Sequence, residues 1–120
     1  AQRLIRLLCP RCKEPYVPTD EELEELQVNR YQLQNGHFFR RSGCQKCADT
    51  GYLGRSGIYE LLMVDDEIQN LILKGADANV IRKAAVNKGM ITLRQDGAEK
   101  VVAGLTTDQE VARVSQEEAM

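Results

Sequence analysis

The 120 residues suffice for one modest domain or part of a larger chain, and 42% of them are hydrophobic and 28% charged. This composition excludes a disordered tail. Sixteen Lys and Arg against eighteen Asp and Glu give a net charge of -2, which argues against a dedicated nucleic-acid binder. No apolar run approaches the ~20 residues that span a bilayer, and no signal peptide opens the chain. Because the chain lacks an initiator Met and starts in mid-pattern, we expect a fragment excised from a protein of the reducing cytosol.

The first part of the chain predicts one helix before the first cysteine pair and one after it. Leu4, Leu7 and Leu8 follow helical spacing, so the opening segment "AQRLIRLL" is predicted to be a short helix. Thr19 and Glu22 form a capping box for a second helix. This second helix is short and very acidic, so it offers little apolar surface to a core.

The region around the second cysteine pair predicts strands and turns. The pair Asn35-Gly36 is typical of a turn, and "HFFRRSG" after it predicts a strand in which the lone His37 is an ordinary strand residue rather than a metal ligand. Residues 57–64, "GIYELLMV", are the best strand candidate in the chain. Three glycines before or at its start are predicted to form tight turns: Gly51, Gly54 and Gly57.

The second half of the chain predicts four capped helices. Each begins at a side chain that can cap it: Asp65, Asp77, Thr92 and Thr107. The last two caps extend to capping boxes with Gln95 and Glu110, and glycines end the first three helices. The sequence therefore predicts a mostly helical α+β fold. It consists of a tetracysteine zinc-knuckle lobe with a short strand element, residues 1–64, followed by a small helical lobe, residues 65–120.

The four cysteines form two C-x2-C pairs separated by 31 residues: Cys9, Cys12, Cys44 and Cys47. Two residues between thiols let the backbone fold into a knuckle that aims both sulfurs at one point, and two knuckles complete a tetrahedral shell. We therefore predict one structural Zn²⁺ per chain. Four thiolates leave no open position for water or substrate, so the site is not predicted to be catalytic.

Other uses of the thiols stay open at this point. The same shell can hold iron, and an emptied, vestigial site is a further alternative. A redox protein needs only one Cys-x-x-Cys, and the cytosol disfavours disulfides. A Zn–S4 centre carries a charge of -2, which predicts a compensating role for the basic side chains near the cysteines: Arg3, Arg6, Arg11, Lys13, Arg40, Arg41, Lys46 and Arg55. Because few apolar residues lie between the knuckles, metal binding is expected to supply much of this lobe's folding free energy.

The chain shows no catalytic set of its own. It contains no G-x-x-x-x-G-K-[ST] motif, one histidine and no spare cysteine, so no nucleophile–base pair can be assigned. This fragment by itself is not predicted to be an enzyme.

Three segments together resemble the C-terminal end of the secretion-superfamily traffic ATPases: "AQRLIRLLCPRCKEPY", "GCQKCADTGYLGRSGIYELLMVDDEI" and "GMITLRQDGAEKVVAGLTTDQEVARVS". The resemblance runs through all 120 residues in order, and it maps the family's zinc ligands onto the same four cysteines. It implies the hexameric motor of type II protein secretion, with the extension ATPase of type IV pili as the alternative. The pilus retraction motors lack the tetracysteine insert.

The resemblance also implies what lies beyond these residues. ATP and Mg²⁺ would bind in a RecA-like core upstream, and that core is absent here. The parent would be a homohexamer at the cytoplasmic face of the inner membrane, docked to a polytopic platform protein and a bitopic anchor, and it would add pilin-like subunits to a fibre. Residues 25–42 match no sequence motif of the family, so the resemblance assigns no partner contact within them.

Two further interpretations come from particular residues. A zinc-ribbon nucleic-acid module would use Phe38 and Phe39 beside Arg40 and Arg41, although one phenylalanine of a strand must face inward. The segment "CQKCADTG" is similar to a J-domain chaperone zinc region, which repeats such a motif four times. Arg55 is a candidate contact between hexamer subunits or, equally, a charge that compensates the metal centre.

Overall fold

The computed structural model describes residues 2–33 and 36–119, which leaves Asn35 of the predicted turn outside the described part. The described residues confirm the α+β class. Their elements, in chain order, are β1 (Gln2–Leu8), β2 (Glu14–Tyr16), α1 (Asp20–Leu26), a 3-10 helix (Arg30–Gln32), β3 (Phe38–Arg40), β4 (Tyr52–Tyr59), α2 (Asp66–Leu73), α3 (Ala78–Asn87), α4 (Leu93–Val102) and α5 (Asp108–Ala119).

The opening segment is a strand, so the predicted helix there is wrong. β1 pairs antiparallel with β4, and Ile5 lies opposite Ser56 while Arg6 lies opposite Arg55. Ile5 is fully buried in a cluster whose other members come from distant segments: Ile58, Leu93 and Val114. A short apolar run is compatible with the periodicity of either a helix or a strand. Here the segment pairs with β4, some fifty residues away in sequence, and therefore forms a strand.

The strand predicted at residues 57–64 lies earlier, at Tyr52–Tyr59. Residues 60–64 are irregular. Two of the predicted turn glycines, Gly54 and Gly57, therefore lie inside β4 rather than in turns before it. A Cβ on Gly57 would stand 2.6 Å from the Tyr59 hydroxyl oxygen, so the glycine leaves room for the tyrosine ring to lie along the strand.

The largest core cluster joins the segment between the two cysteine pairs to the last two helices. β2 pairs with β3, and the ring of Tyr16 meets that of Phe38 edge to face at 6.2 Å. The buried members of the cluster are Leu23, Leu26, Val28, Leu33, Phe38, Ala98, Val101 and Val111. Five of these eight precede the second cysteine pair, so the segment between the knuckles contributes more apolar surface than the sequence suggested.

The predicted helix starts are present in the structure. The capping boxes of α1, at Thr19, and of α4, at Thr92, are both complete, and Asp65 and Asp77 cap α2 and α3. The third predicted box, at Thr107, is half formed. Glu110 donates its backbone N–H to the Thr107 hydroxyl at 3.2 Å, but its carboxylate bonds to Arg6 instead of the cap.

The predicted division of the chain into two domains at residue 64 stays a prediction. Each of the two core clusters takes residues from both sides of it. In the described part of the chain, no helix combines the length and the apolar character that crossing a bilayer requires.

Candidate metal centre

The four cysteine sulfurs lie together at the junction of the two sheets. The Sγ atoms of Cys9 and Cys44 are 3.7 Å apart, those of Cys12 and Cys47 are 3.8 Å apart, and those of Cys44 and Cys47 are 3.7 Å apart. All four lie within 4.8 Å of one another. A disulfide bond would measure about 2.05 Å, so the thiols are free.

These separations fit a metal tetrahedron. Four sulfurs bound at about 2.3 Å to one central ion stand about 3.8 Å apart along the edges of a regular tetrahedron. The three distances above match that edge length. The four thiols can therefore bind one metal ion, and among the described residues they form the one such group of ligand-bearing side chains.

The second knuckle is built by backbone N–H groups that point at sulfur. Cys47 Sγ accepts from the backbone N–H of Cys44 at 3.3 Å and from that of Gly51 at 3.2 Å. Ala48 and Asp49 both adopt the left-handed conformation, with φ of 54° and 62°, which turns the chain back toward the sulfur. Such N–H···S bonds stabilise a thiolate and fix its direction toward the ion.

Gly51 is the residue that the sequence prediction undervalued. The sequence predicts only a turn at this position, yet the Gly51 N–H donates to Cys47 Sγ and its carbonyl accepts from the Cys9 N–H at 2.9 Å, so it joins the two knuckles. Its φ is +83°, and a Cβ would lie 2.4 Å from Cβ of Arg41. A glycine four residues after the last cysteine was the feature that could have revealed this role.

The local environment shifts the pKa values of the Cys47 and Cys12 thiols in opposite directions. Burial raises the pKa of Cys47, but the N–H donors of Cys44 and Gly51 outweigh it and lower that pKa to about 6. Burial and the neighbouring thiols raise the pKa of Cys12 to about 11. Metal binding removes the remaining thiol protons because the thiolate is the ligand form.

Several basic side chains near the centre contact aromatic rings and carbonyl groups. Lys13 Nζ donates to the carbonyl of Gly104 at 2.8 Å and lies 4.3 Å from the centroid of Phe39. Arg40 lies over the ring of Tyr16 at 4.8 Å. Both phenylalanines that were candidates for stacking on nucleic-acid bases are therefore engaged within the fold. Phe38 is buried, and the ring of Phe39 contacts the ammonium of Lys13.

Two further candidate residues, His37 and Arg55, make their contacts outside the four-sulfur cluster. The ring of His37 packs edge to face on Phe39, with centroids 5.0 Å apart, and His37 is not part of the metal-capable group. Arg55 is exposed on β4, opposite Arg6. Its role as a subunit contact or as a compensating charge stays a prediction.

The metal centre is joined to the connection between α4 and α5, which no motif in the sequence indicated. The Leu8 N–H donates to the carbonyl of Leu105 at 2.8 Å. The hydroxyls of Tyr52 and Thr107 share a buried hydrogen bond of 2.9 Å. Together with Lys13 on the carbonyl at the end of α4, these bonds attach both knuckles to the helical part of the chain.

Comparison with known proteins identifies the family. A sequence model described as "Type II/IV secretion system protein" matches residues 1–113. The chain belongs to this family. Named relatives include the Type II secretion system protein E of Dickeya dadantii, 43% identical over 118 residues, and the Type II secretion system ATPase E of Vibrio cholerae, 43% identical over 117 residues. The Type IV pilus assembly ATPase PilB of Thermus thermophilus is 43% identical over 111 residues.

This member of the type II/IV secretion system family aligns with its relatives over nearly its whole length. The alignments cover 98% of the chain for the Dickeya and Vibrio proteins and 92% for the Thermus protein. The chain spans only 23% of the two secretion proteins and 12% of the pilus ATPase. The alignments therefore confirm the family resemblance seen in the motifs.

Proposed function

We propose that this chain is the C-terminal metal-binding part of an ATPase that powers type II protein secretion. The observation that carries the proposal is the four-sulfur cage, with edges of 3.7 and 3.8 Å, in a chain of the secretion family. Two secretion proteins named E align over 98% of this chain at 43% identity. The described residues supply the cage, and ATP with Mg²⁺ would bind elsewhere in the longer protein.

The ion is proposed to be one structural Zn²⁺ held by all four cysteines. Its four thiolate ligands complete the tetrahedron, so it offers no position for a substrate. Cys9 lies next to the end of β1, and the second pair lies shortly before β4. An ion in the cage would clamp these strand ends together and fix their hydrogen bonds to the connection between α4 and α5. A bound ion would thus help the four cysteines hold the strand pair in its orientation relative to the helices.

The remaining parts of the proposal concern the assembled protein. We infer a homohexamer at the cytoplasmic face of the inner membrane that works with the platform and anchor proteins of the secretion system. Arg55, exposed in the middle of β4, is a proposed contact to the neighbouring subunit. No role in nucleic-acid binding is proposed, because the two candidate rings are engaged within the fold: Phe38 is buried, and Phe39 lies against the ammonium of Lys13.

The metal is tested on the full-length protein by elemental analysis together with activity. We expect one zinc per chain in the wild type and loss of zinc in Cys47→Ser, because that thiol accepts two N–H donors and cannot be replaced by its neighbours. Ser42→Ala, a matched change just outside the second pair, should keep the metal. Iron in place of zinc, or a folded wild-type protein without metal, would contradict the assignment.

The secretion role is tested in cells that lack their own secretion ATPase. The full-length wild type should restore release of secreted protein, and Cys47→Ser should not. Restoration of pilus extension without secretion would favour the alternative, the type IV pilus ATPase, which is supported by the Thermus relative at the same 43% identity.

A further inference from the structure

The four cysteines differ in their access to solvent. Cys9 and Cys47 are 0% and 5% exposed, whereas Cys12 and Cys44 are partly exposed. Each knuckle therefore presents one reachable cysteine and one buried cysteine. Because oxidation of a thiolate depends on its exposure, a small oxidant from solvent reacts first with Cys12 and Cys44.

Each reachable sulfur has a buried sulfur of the other knuckle as a close neighbour. Cys12 Sγ lies 3.8 Å from Cys47 Sγ, and Cys44 Sγ lies 3.7 Å from Cys9 Sγ. Both pairs join residues 35 positions apart in sequence. Because a disulfide bond measures about 2.05 Å, each sulfur has to move by less than about 1 Å to form one. The sulfur positions are therefore close to those of two disulfides across the knuckles.

A competing pair lies within the second knuckle, because Cys44 Sγ and Cys47 Sγ are also 3.7 Å apart. A disulfide there closes a very short loop, whereas a bond across the knuckles closes a loop of about 35 residues and restricts the unfolded chain far more. Thiol–disulfide exchange connects the two products. The Cys9 thiolate can attack Cys44 in such a bond and release Cys47, which then reacts with Cys12.

Bonds across the knuckles also preserve the contacts at the strand ends. The Cys9 N–H donates to the carbonyl of Gly51 at 2.9 Å, and the Leu8 N–H donates to the carbonyl of Leu105 at 2.8 Å. Neither hydrogen bond uses a sulfur atom, so both remain when the thiolates become disulfides. Disulfides within each knuckle would instead leave the two knuckles without a shared ligand or a covalent link.

We propose that the four cysteines form a redox-sensitive clamp, in which a peroxide releases the metal and joins the knuckles by the disulfides Cys12–Cys47 and Cys9–Cys44. This rests on the proposed function, in which the four thiolates hold zinc. The ion leaves because the thiolate is the ligand form and a disulfide sulfur carries no charge. The oxidised, metal-free chain keeps its strand ends together. In a reducing compartment such disulfides are transient and suit redox sensing.

The chemistry balances with hydrogen peroxide as the oxidant. The Cys12 thiolate attacks one peroxide oxygen, so an S–O bond forms, the O–O bond breaks and hydroxide leaves. The Cys47 thiolate then attacks the Cys12 sulfur, which forms the S–S bond and expels a second hydroxide. Two electrons pass from the two sulfurs to the peroxide. Cys44 and Cys9 react in the same way with a second peroxide.

Peroxide treatment of the zinc-loaded full-length protein tests the pairing in the wild type. A chromogenic chelator should report the release of one zinc per chain, and peptide mass spectrometry without reduction should find Cys12 joined to Cys47 and Cys9 joined to Cys44. Excess dithiol, which is itself oxidised to a disulfide, should restore the metal content once zinc is added. Zinc release without these two linkages, or linkages within each knuckle at the end of the reaction, would overturn the proposal.

Backbone hydrogen exchange measures whether the oxidised clamp stays closed. The amides of Leu8 and Cys9 should keep their protection to within about threefold after oxidation, whereas chelation of the reduced protein should lower it by about tenfold or more. The amide of Ile68, which donates to Asp65 in α2, is an internal control and should not change. Equal losses after oxidation and after chelation would contradict a clamp.

One variant tests the choice of partner directly. In Cys12→Ser, peroxide should still join Cys9 to Cys44 and leave Cys47 as a free thiol, whereas a Cys44–Cys47 bond would refute the preference for pairing across the knuckles. Ser42→Ala, the matched change outside the second pair, should form both linkages as the wild type does. The mapping of the wild-type disulfides does not depend on the folding of this variant.

Failure of the proposed function gives a different result. A reduced protein that contains no zinc and does not support secretion, but forms both linkages in peroxide, would reject the proposed function and retain the pairing. A zinc-containing protein that supports secretion, but forms its disulfides within each knuckle, would reject the redox-sensitive clamp alone.

Discussion

The half of the molecule around the metal centre is packed, whereas the arm formed by α2 and α3 is not. Helix α4 buries four residues, and α5 buries Val111 and Val114 against the strands and α1. In the arm, α2 buries Ile68 and α3 buries Ala85. Both regions have well-formed caps, so capping alone does not distinguish a helix that is packed from one that is exposed.

Polar contacts show the same difference. In the packed half, buried Glu110 accepts from both the backbone N–H and the guanidinium of Arg6, and the Tyr16 hydroxyl lies 3.2 Å from Glu22 and 3.4 Å from Asp108. Burial and the Glu22 charge raise the pKa of Asp108. The arm is held by ion pairs nearer the surface, such as Arg82 with Glu60 at 2.8 Å. Stability should therefore be concentrated in the packed half.

The largest effect is expected at the centre of the packed half. Phe38→Ala removes a fully buried ring that contacts Tyr16, and it should lower the free energy of unfolding by about 3–5 kcal/mol. Denaturant unfolding measures this change. The matched control is Tyr31→Ala, at an aromatic residue that is 85% exposed, and it should change little. Equal losses for the two variants would remove the distinction between packed and exposed aromatic positions.

A second prediction concerns the buried carboxylate of Glu110. Burial opposes its ionisation, but the hydrogen bonds from Arg6 and Arg113 outweigh burial and lower the pKa of Glu110 to about 2. Glu110→Gln should therefore cost about 2–3 kcal/mol near neutral pH, since one pKa unit corresponds to about 1.4 kcal/mol and Arg6 is half exposed.

The pH dependence of this difference follows from the sign of the shift. A carboxylate with a lowered folded pKa stabilises the fold above its unfolded pKa, and that contribution is lost as the pH falls through the folded value. The wild type should thus exceed Glu110→Gln by the full amount above about pH 5, and the two should converge toward pH 2. Unfolding curves at several pH values measure it, with exposed Glu24→Gln as the control. A difference that does not vary with pH would contradict the ion pair.

The sequence predicted features that depend on neighbouring residues and missed those that depend on distant ones. The caps at Thr19, Asp65, Asp77 and Thr92 were correct because each bonds within its own first turn. The cysteine spacing likewise predicted which sulfurs would meet. Both knuckles rely on short local turns.

The sequence-based predictions were wrong or incomplete where contacts with a segment distant in sequence determine the local structure. Leu4, Leu7 and Leu8 fit a helix in isolation, but β4 pairs with that segment and makes it a strand. Glu110 looked like half of a capping box, yet a strand residue 104 positions earlier takes its carboxylate. The second role of Gly51, in joining the knuckles, also depends on Cys9, which lies far from it in sequence.

A smaller effect is expected from removing helix caps, and its reach should differ between the two regions. Asp77→Ala and Thr92→Ala each remove a side chain that accepts from a first-turn N–H, which costs about 1 kcal/mol. In the arm, the loss should speed exchange only within α3. In the packed half, it should speed exchange across the whole core, because α4 packs on α1, α5 and β4. Hydrogen exchange resolved by residue distinguishes these patterns, and identical patterns would refute the concentration of stability in the packed half.

The smallest effect is expected on the outer surface of the arm. Leu73, at the end of α2, is 75% exposed, so Leu73→Lys removes almost no buried area. Lysine has nearly the helix propensity of leucine and suits the negative end of the helix dipole. Unfolding of residues 1–120 should shift by less than about 0.5 kcal/mol, as is usual for surface changes. A buried counterpart, Val111→Lys, should abolish folding, because it places an unpaired charge among the side chains of the largest cluster. A large loss for Leu73→Lys in the same assay would mean that the arm's outer face is packed after all, and the contrast between the two regions would then have to be abandoned.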